Sequence, residues 1–435
     1  MQLVAYGAQD IYLSGNPQIT FFKVVYRRHT NFSIESIEQT FNGSTGFDRK
    51  VTSTISRNGD LINQMYLDIE LPAINSFSRE VQARDDNGKL MHEEVATDGE
   101  GVPIEDENGH VVYDDQSPPV LTTETTHYQY VDWVGHALIK SIEIEIGGQR
   151  IDKHYGDWLH IWNELSQMES RWNGYKTMIN GSTISNVDKK IEAAQDSDSE
   201  SSSRRSLYIP LQFWFCRNPG VALPLIALQY HEVKVNIEFA GLSDLIKNYN
   251  SSVTTQGNMK ASLFADYIYL DTDERRRFAQ VSHEYLIEQL QFTGDENASR
   301  NIKLNFNHPV KELIWVEKDL TSEFGKYQST YSSAQLTLNS HDRFSKRNSQ
   351  YFQLVQPYQH HQRVPALGSG INVYSFALKP EEHNPSGSCN MSRIDDTTLK
   401  LDNIVENGNS VVKVYAVNYN VLRVMSGMAG VAYSN

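Results

Sequence analysis

The chain has 435 residues, 39 % of them hydrophobic, and a formal net charge of −15. So acidic a chain is excluded as a coat for nucleic acid or an anionic membrane, both of which need clustered Lys and Arg. Two cysteines exclude a disulfide framework, no apolar run approaches the roughly 20 residues of a membrane helix, and Met1-Gln2-Leu3-Val4 lacks the start of a signal peptide. Synthesis in a reducing cytosol is expected, with Cys216 and Cys389 as free thiols.

The segment 1–25 is rich in Gly, Asn and Pro and reads either as an arm reaching neighbours or as an edge strand on its own domain. Arg27-Arg28 reads either as a contact for an acidic partner or as half of an intrachain ion pair. Strand signals then dominate: residues 64–71, 138–146, 232–239, 263–270, 303–306, 335–338 and 411–417 alternate apolar with polar or are rich in Val, Ile and Tyr. Between them, Trp158, Ile161, Trp162, Leu165, Met168, Trp172, Tyr175 and Met178 recur at helical spacing and predict one inserted helix packed on the sandwich. The acidic stretch 79–116 holds Asp86-Asn87-Gly88 and Glu107-Asn108-Gly109, which predict two hairpins in an exposed loop. Residues 196–206 are a Ser-rich, low-complexity loop. The stretch 273–283, with Glu274-Arg275-Arg276-Arg277, reads as an interdomain linker whose basic run bridges acidic neighbours.

Motifs of the first part return in the second, in the same order and at shrinking offsets. Ile37-Glu38-Gln39 returns as Ile287-Glu288-Gln289, and Ile144-Glu145-Ile146 with Arg150 as Leu336-Thr337-Leu338 with Arg343. Asn218-Pro219-Gly220 returns as Asn384-Pro385-Ser386-Gly387, and Phe264-Ala265 as Tyr415-Ala416. A period this long means two tandem all-β domains, 26–272 and 284–435, with the longer loops in the first.

A search for chemistry finds little. No phosphate-binding Gly loop and no nucleophile elbow occurs. His360-His361 would point opposite ways on a strand, and His154 and His160 straddle the helix start, so both pairs read as structural. No catalytic residue, metal ligand set or cofactor is expected. Asn31, Asn42, Asn180, Asn250, Asn297 and Asn390 each open an Asn-x-Ser triplet, a weak signal for glycosylation in a chain made in the cytosol.

The runs Leu3-Val4-Ala5-Tyr6-Gly7-Ala8-Gln9-Asp10, Gly15-Asn16-Pro17-Gln18-Ile19-Thr20-Phe21-Phe22-Lys23 and Tyr26-Arg27-Arg28 resemble the major capsid proteins of large icosahedral double-stranded DNA viruses, nearest to those of chloroviruses and their relatives. The likeness continues through Ser56-Arg57-Asn58-Gly59-Asp60, Gly147-Gly148-Gln149-Arg150-Ile151-Asp152-Lys153-His154-Tyr155, residues 222–233 and 283–289, Asn305 to Pro309, and residues 419–433. It implies two tandem eight-stranded jelly rolls with an inserted helix and long surface loops. It also implies a homotrimeric, pseudo-hexagonal capsomer in the outer shell of the virion, assembled in the host cytoplasm. The expected partners are the chain itself, neighbouring capsomers and minor capsid proteins beneath the shell, with no direct nucleic acid and no membrane insertion. The alternatives are a low-copy paralogous capsid protein, or a two-sandwich carbohydrate-binding protein or hydrolase resting on exposed Trp and paired carboxylates.

Overall fold

The structure is a computed structural model that describes residues 8–9, 11–24, 26–74, 77–82, 103, 105, 110–113, 120–126, 129–180, 205–247, 249, 253–406 and 408–433. The first half contains β1 (Phe32–Gln39), β2 (Phe41–Asn42), β3 (Lys50–Thr54), β4 (Leu61–Leu71), β5 (Ala73–Ile74), β6 (Phe77–Gln82) and β7 (Leu121–Thr126). It continues with β8 (Ile139–Ile146), β9 (Gln149–Tyr155), β10 (Arg205–Pro210), β11 (Leu223–Pro224), β12 (Val233–Phe239), β13 (Thr255–Gln256) and β14 (Lys260–Leu270). One antiparallel sheet runs β1-β14-β4-β10 and a second β2-β3-β12-β8-β9. Strand β4 shows how alternation builds the layers: Met65, Leu67, Ile69 and Leu71 enter a core shared with Ile144, Val235 and Leu263, while Gln64, Tyr66, Asp68 and Glu70 face the other way.

The second half contains β15 (His283–Asn297), β16 (Asn301–Lys303), β17 (Pro309–Asp319), β18 (Ser333–Leu338), β19 (His341–Asp342) and β20 (Arg347–Asn348). After these come β21 (Ile371–Ser375), β22 (Cys389–Asn390), β23 (Thr397–Asp402), β24 (Ser410–Met425) and β25 (Met428–Val431). Its sheets run β15-β24-β17-β21 and β16-β23-β18-β19, and β22 lies beside β17 as β11 lies beside β4. The order β1-β14-β4-β10 with β3-β12-β8-β9 is repeated in the second half, β2 being an addition to the first half and β20 and β25 additions to the second.

The duplicated motifs fall on equivalent elements. The β8-β9 and β18-β19 hairpins correspond, the Asn-Pro turns each link the fourth strand of the first sheet to its short neighbour, and Phe264 and Tyr415 sit on β14 and β24. The Ile-Glu-Gln echo lies on equivalent strands but out of register. The ladders set Glu38 against Phe264 and Phe292 against Tyr415, so Glu38 corresponds to Phe292 rather than to Glu288. Register here follows the long β15-β24 ladder and its bulge after Phe292, which a short motif does not encode.

Several expectations need correction. The inserted helix is two helices, α1 (Gly156–Ser166) and α2 (Glu169–Ile179), because Gln167 and Met168 are extended. The break lets one stripe serve two targets. Trp158, Ile161, Trp162 and Leu165 of α1 pack on the second half, whereas Trp172, Tyr175 and Ile179 of α2 enter the core of the first. Residues 273–280 lie in a helix, α3 (Thr272–Gln280), started by the Asp271 carboxylate accepting from the Thr272 amide at 2.8 Å. Of its basic run, Arg275 reaches Asp60 at 3.0 Å. Strand β16 ends at Lys303, short of the predicted 306. Arg205 and Ser206 belong to β10 rather than to a loop.

The Asp86-Asn87-Gly88 and Glu107-Asn108-Gly109 turns lie outside the described residues. Glu105 and Val111 form an antiparallel bridge across the second, and β6 pairs with β7 at the base of the insertion. In the segment before β1, residues 11–14 form one helical turn and no described residue is in a strand; Phe21 and Phe22 are 92 % and 97 % exposed. Arg27 and Arg28 are exposed and make no ion pair among the described residues.

Strand β17 is apolar on both faces, and both are covered. Leu313 and Trp315 belong to the core of the second half, and Ile314 and Val316 lie beneath α1. Trp158→Ala removes the ring at the centre of that cover. The expected loss is about 3–5 kcal/mol, with differential scanning calorimetry resolving the single transition into two as the halves uncouple.

Candidate functional site

The functional geometry of this chain is the joint that fixes one half against the other, together with the surfaces left open around it. Helix α1 begins directly where β9 ends. Gly156 is required at that corner, because a Cβ there would meet the carbonyl oxygens of His136 and Ile139 at 2.4 Å. The aromatic stripe of α1 then lies across β17, β21 and β24, with the Trp158 ring 5.4 Å from Tyr415 and 5.6 Å from Trp162.

Charge pins the joint at two places. Asp157, in the first turn of α1, accepts from Lys413 at 2.7 Å and from the Tyr327 hydroxyl at 3.1 Å, with Lys318 at 3.5 Å. Burial works to raise its carboxyl, but Lys318 and Lys413 bring it below its ordinary value, and the helix N-terminus favours the same charge. On the far side, Glu288 of β15 holds Lys311 at 2.6 Å and Arg217 of the first half at 2.5 Å. Burial again acts to raise the carboxyl, and two cations around one carboxylate set it below its usual range. Between these points side chains tie to the main chain across the halves: the Asp152 carboxylate accepts from the Leu290 backbone amide at 3.0 Å, and the Gln289 side-chain Nε2 donates to the Ile151 carbonyl at 2.5 Å.

A third contact runs the other way. The loop after β17 inserts Phe324 against His160, and Gly325, at φ 75°, passes so close that a Cβ would lie 3.1 Å from His160 Nε2 and 3.2 Å from Trp133. Burial pushes His160 down to about 4, so it is a neutral packing residue at neutral pH. His154 is buried 2.9 Å from Asp152. His360 closes a short helix, α4 (Gln356–His360), so the adjacent His pair ends a helix instead of lying on a strand. His361 is buried between two carboxylates, its Nε2 3.0 Å from Glu312 and its Nδ1 2.8 Å from Glu381. Burial opposes its charge, yet Glu312 and Glu381 raise it to about 9.

The six Asn-x-Ser positions do not converge. Asn31 and Asn42 flank or lie in the first strands, Asn297 ends β15 and Asn390 ends β22, all four exposed. Asn180 is half-buried at the C-cap of α2, where its carbonyl accepts from the Trp133 amide at 3.0 Å, and Asn250 lies outside the described residues. The Asn390 side chain is engaged in its own turn, accepting from the Ser392 amide at 3.1 Å. Both cysteines are free thiols. Among the described residues no group of three or more His, Cys, Asp and Glu is placed to hold a metal, and no helix is long and apolar enough to cross a membrane. The exposed Trp that the carbohydrate reading needs are not found. Trp158, Trp162, Trp172, Trp214 and Trp315 are buried and Trp133 is partly so, because the indoles fill the cores and the joint.

Two families match, together spanning most of the chain. The family described as "Major capsid protein N-terminus" matches residues 20–96 and 117–271, and "Large eukaryotic DNA virus major capsid protein" matches residues 274–430. The chain belongs to the major capsid proteins of large eukaryotic DNA viruses. It is 57 % identical to the major capsid protein of Pyramimonas orientalis virus, covering 100 % of this chain and 99 % of the relative. It is 40 % identical to that of Paramecium bursaria Chlorella virus 1, with the same coverage. Among solved structures it superposes on PBCV-1 VP54, fitted into a cryo-EM reconstruction of the virophage Sputnik, with a TM-score of 0.73 and 36 % identity over 96 % of this chain and 100 % of that one.

Sequence reading missed Asp157, Arg217, Glu288, Lys318 and Lys413. Each is an ordinary charged residue; the placement of Asp157 just before the Trp158 stripe gave a local signal, and Glu288 stood out only within the Ile-Glu-Gln echo, which carries no charge partner.

The His361 pair predicts a pH dependence. Its folded-state value is raised, so its contribution is fully present below its ordinary value of 6.5 and is lost as pH rises through about 9. Denaturant titrations from pH 6 to 10 are expected to show a loss of about 3 kcal/mol that His361→Gln abolishes. Asp157 has the opposite sign. Its lowered carboxyl stabilises above the ordinary carboxylate value and is lost on acidification through the folded-state value, so Asp157→Asn flattens the acid limb of the same profile.

Proposed function

We propose that this chain builds the outer shell of an icosahedral large double-stranded DNA virus. In this reading each half, 26–272 and 284–435, is an eight-stranded jelly roll joined through 273–283, and three chains form a pseudo-hexagonal homotrimer that tiles edge to edge. The observation that carries it is the repetition of one sheet order in both halves, β1-β14-β4-β10 with β3-β12-β8-β9 and then β15-β24-β17-β21 with β16-β23-β18-β19. Two similar wedges in one chain turn a threefold ring into six similar sides. The buried joint supports the same reading, because a tile needs its two wedges at a fixed angle.

The segment 1–25, whose described part exposes Tyr12, Phe21 and Phe22, then serves as an arm that docks on neighbouring capsomers or on minor capsid proteins beneath the shell. The exposed Asn31, Asn42, Asn297 and Asn390 are open to a glycan, whereas Asn180 is half-buried in a cap. Assembly in the host cytoplasm fits the free thiols and acidic surface.

Native mass spectrometry of the purified chain over a concentration series tests the reading. A persistent trimer that dissociates and unfolds together is the expected outcome, since obligate interfaces commonly bury upward of roughly 2,000 Å². A monomer that stays folded at every concentration overturns it.

A further inference from the structure

The two halves share a topology, but their equivalent faces are not equally covered. In the second half the outer face of β15-β24-β17-β21 is roofed by α1, and Ile314, Val316, Ile371, Val373, Tyr415 and Val417 are all buried. The ladders locate the same positions in the first half. Phe264 stands opposite Tyr66 as Tyr415 stands opposite Ile314, and Pro210 stands opposite Tyr66 as Val373 stands opposite Ile314. Tyr208, two places along, matches Ile371. Among the described residues this face is open: Tyr208 is 42 % exposed, Tyr66 and Phe264 are half-buried and stacked at 5.1 Å, and Phe32 and Ile34 of β1 add exposed apolar surface. Helix α3 covers one end, through Phe278 against Ile268 and Leu270.

The roof has a counterpart too. Helix α1 lies between β9 and β10, and the same place in the second half, between β20 and β21, holds the turn Tyr351–Val355 and α4. Where α1 is buried, this segment points outward. Tyr358 is 79 % exposed, and Leu378, whose carbonyl lies 3.1 Å from His360 Nδ1, is 73 % exposed. Charges are complementary. Glu38, Asp68, Glu70 and Asp266 surround the open sheet face, where Lys260 pairs with Glu70 at 3.2 Å and leaves the acidic groups in excess, and the exposed Arg343 and Arg347 precede α4. These two exposed surfaces therefore occupy positions whose counterparts pack on each other inside the chain.

We propose that the α4 surface of one copy covers the open β1-β14-β4-β10 face of a second copy, repeating between chains the contact that α1 makes within the chain. This rests on the self-assembly reading and names its interface. The contact is heterologous, so it closes only as a ring, and the same step taken alternately within and between chains makes a ring of six halves from three copies.

The full chain, Tyr208→Glu, Tyr358→Glu and the control Val405→Glu, which lies in the loop between β23 and β24, are compared by native mass spectrometry, with circular dichroism confirming the fold. Both tyrosine variants are expected to raise the concentration at half-dissociation about tenfold or more, and the control to leave it unchanged. Amine cross-linking of a mixed light- and heavy-isotope wild-type trimer checks the contact without any variant, and mixed-isotope links between the exposed Lys346, which precedes α4, and Lys260 on the open face are expected. A trimer that lacks those links, or that resists both variants, overturns the interface and leaves the capsomer reading standing. A wild type that is monomeric throughout overturns both.

Discussion

Everything in this structure depends on burying the outer face of the β15-β24-β17-β21 sheet. Strands β17 and β24 are apolar on both sides, so one covering layer does not suffice. The inner side is closed by the partner sheet of the same half, and the outer side is closed by a helix that belongs to the other half. Each large side chain so buried contributes roughly 1.5–3 kcal/mol, and four from α1 act on one surface. The second half is consequently not a free-standing sandwich, and the angle between the halves is set by packing instead of by the length of a linker.

The buried charges around that joint do a different task. Asp157 with Lys413 and Lys318, and Glu288 with Lys311 and Arg217, each remove ions from water at a cost that pairing largely offsets, so their net contribution is small. Their value is directional. An apolar face tolerates sliding, whereas a carboxylate shared between two cations on a fixed strand accepts a single arrangement. The side-chain bonds of Asp152 and Gln289 to the main chain of the neighbouring half act in the same sense. A subunit that must meet its copies at a repeated angle needs that specificity more than extra stability.

Much of the architecture was legible beforehand. Alternation placed β4, β8, β12, β14, β18 and β24, and three of the four echoed motifs fall on equivalent elements of two halves that share a sheet order. Boundaries failed where local pattern had no authority. Residues 273–280 carry polar and basic side chains with no apolar period of a buried helix, yet the Asp271 cap and the docking of Phe278 make them helical. The aromatic stripe from Trp158 gave the helical period correctly and missed the break at Gln167 and Met168, because spacing does not say that two stretches of one stripe have different targets.

By itself the sequence determined the all-β class of fold and the family, because these are written in short-range alternation and in long runs of particular residues. Which strand faces which was decided only in three dimensions. Glu38 corresponds to Phe292 rather than to the matching glutamate, and the exposed indoles that a sugar-binding protein would need are buried, since register and burial depend on partners hundreds of residues away. The joint is the clearest case: Asp157 and Lys413 are unremarkable in the chain, and become a site only because α1 lies across β24.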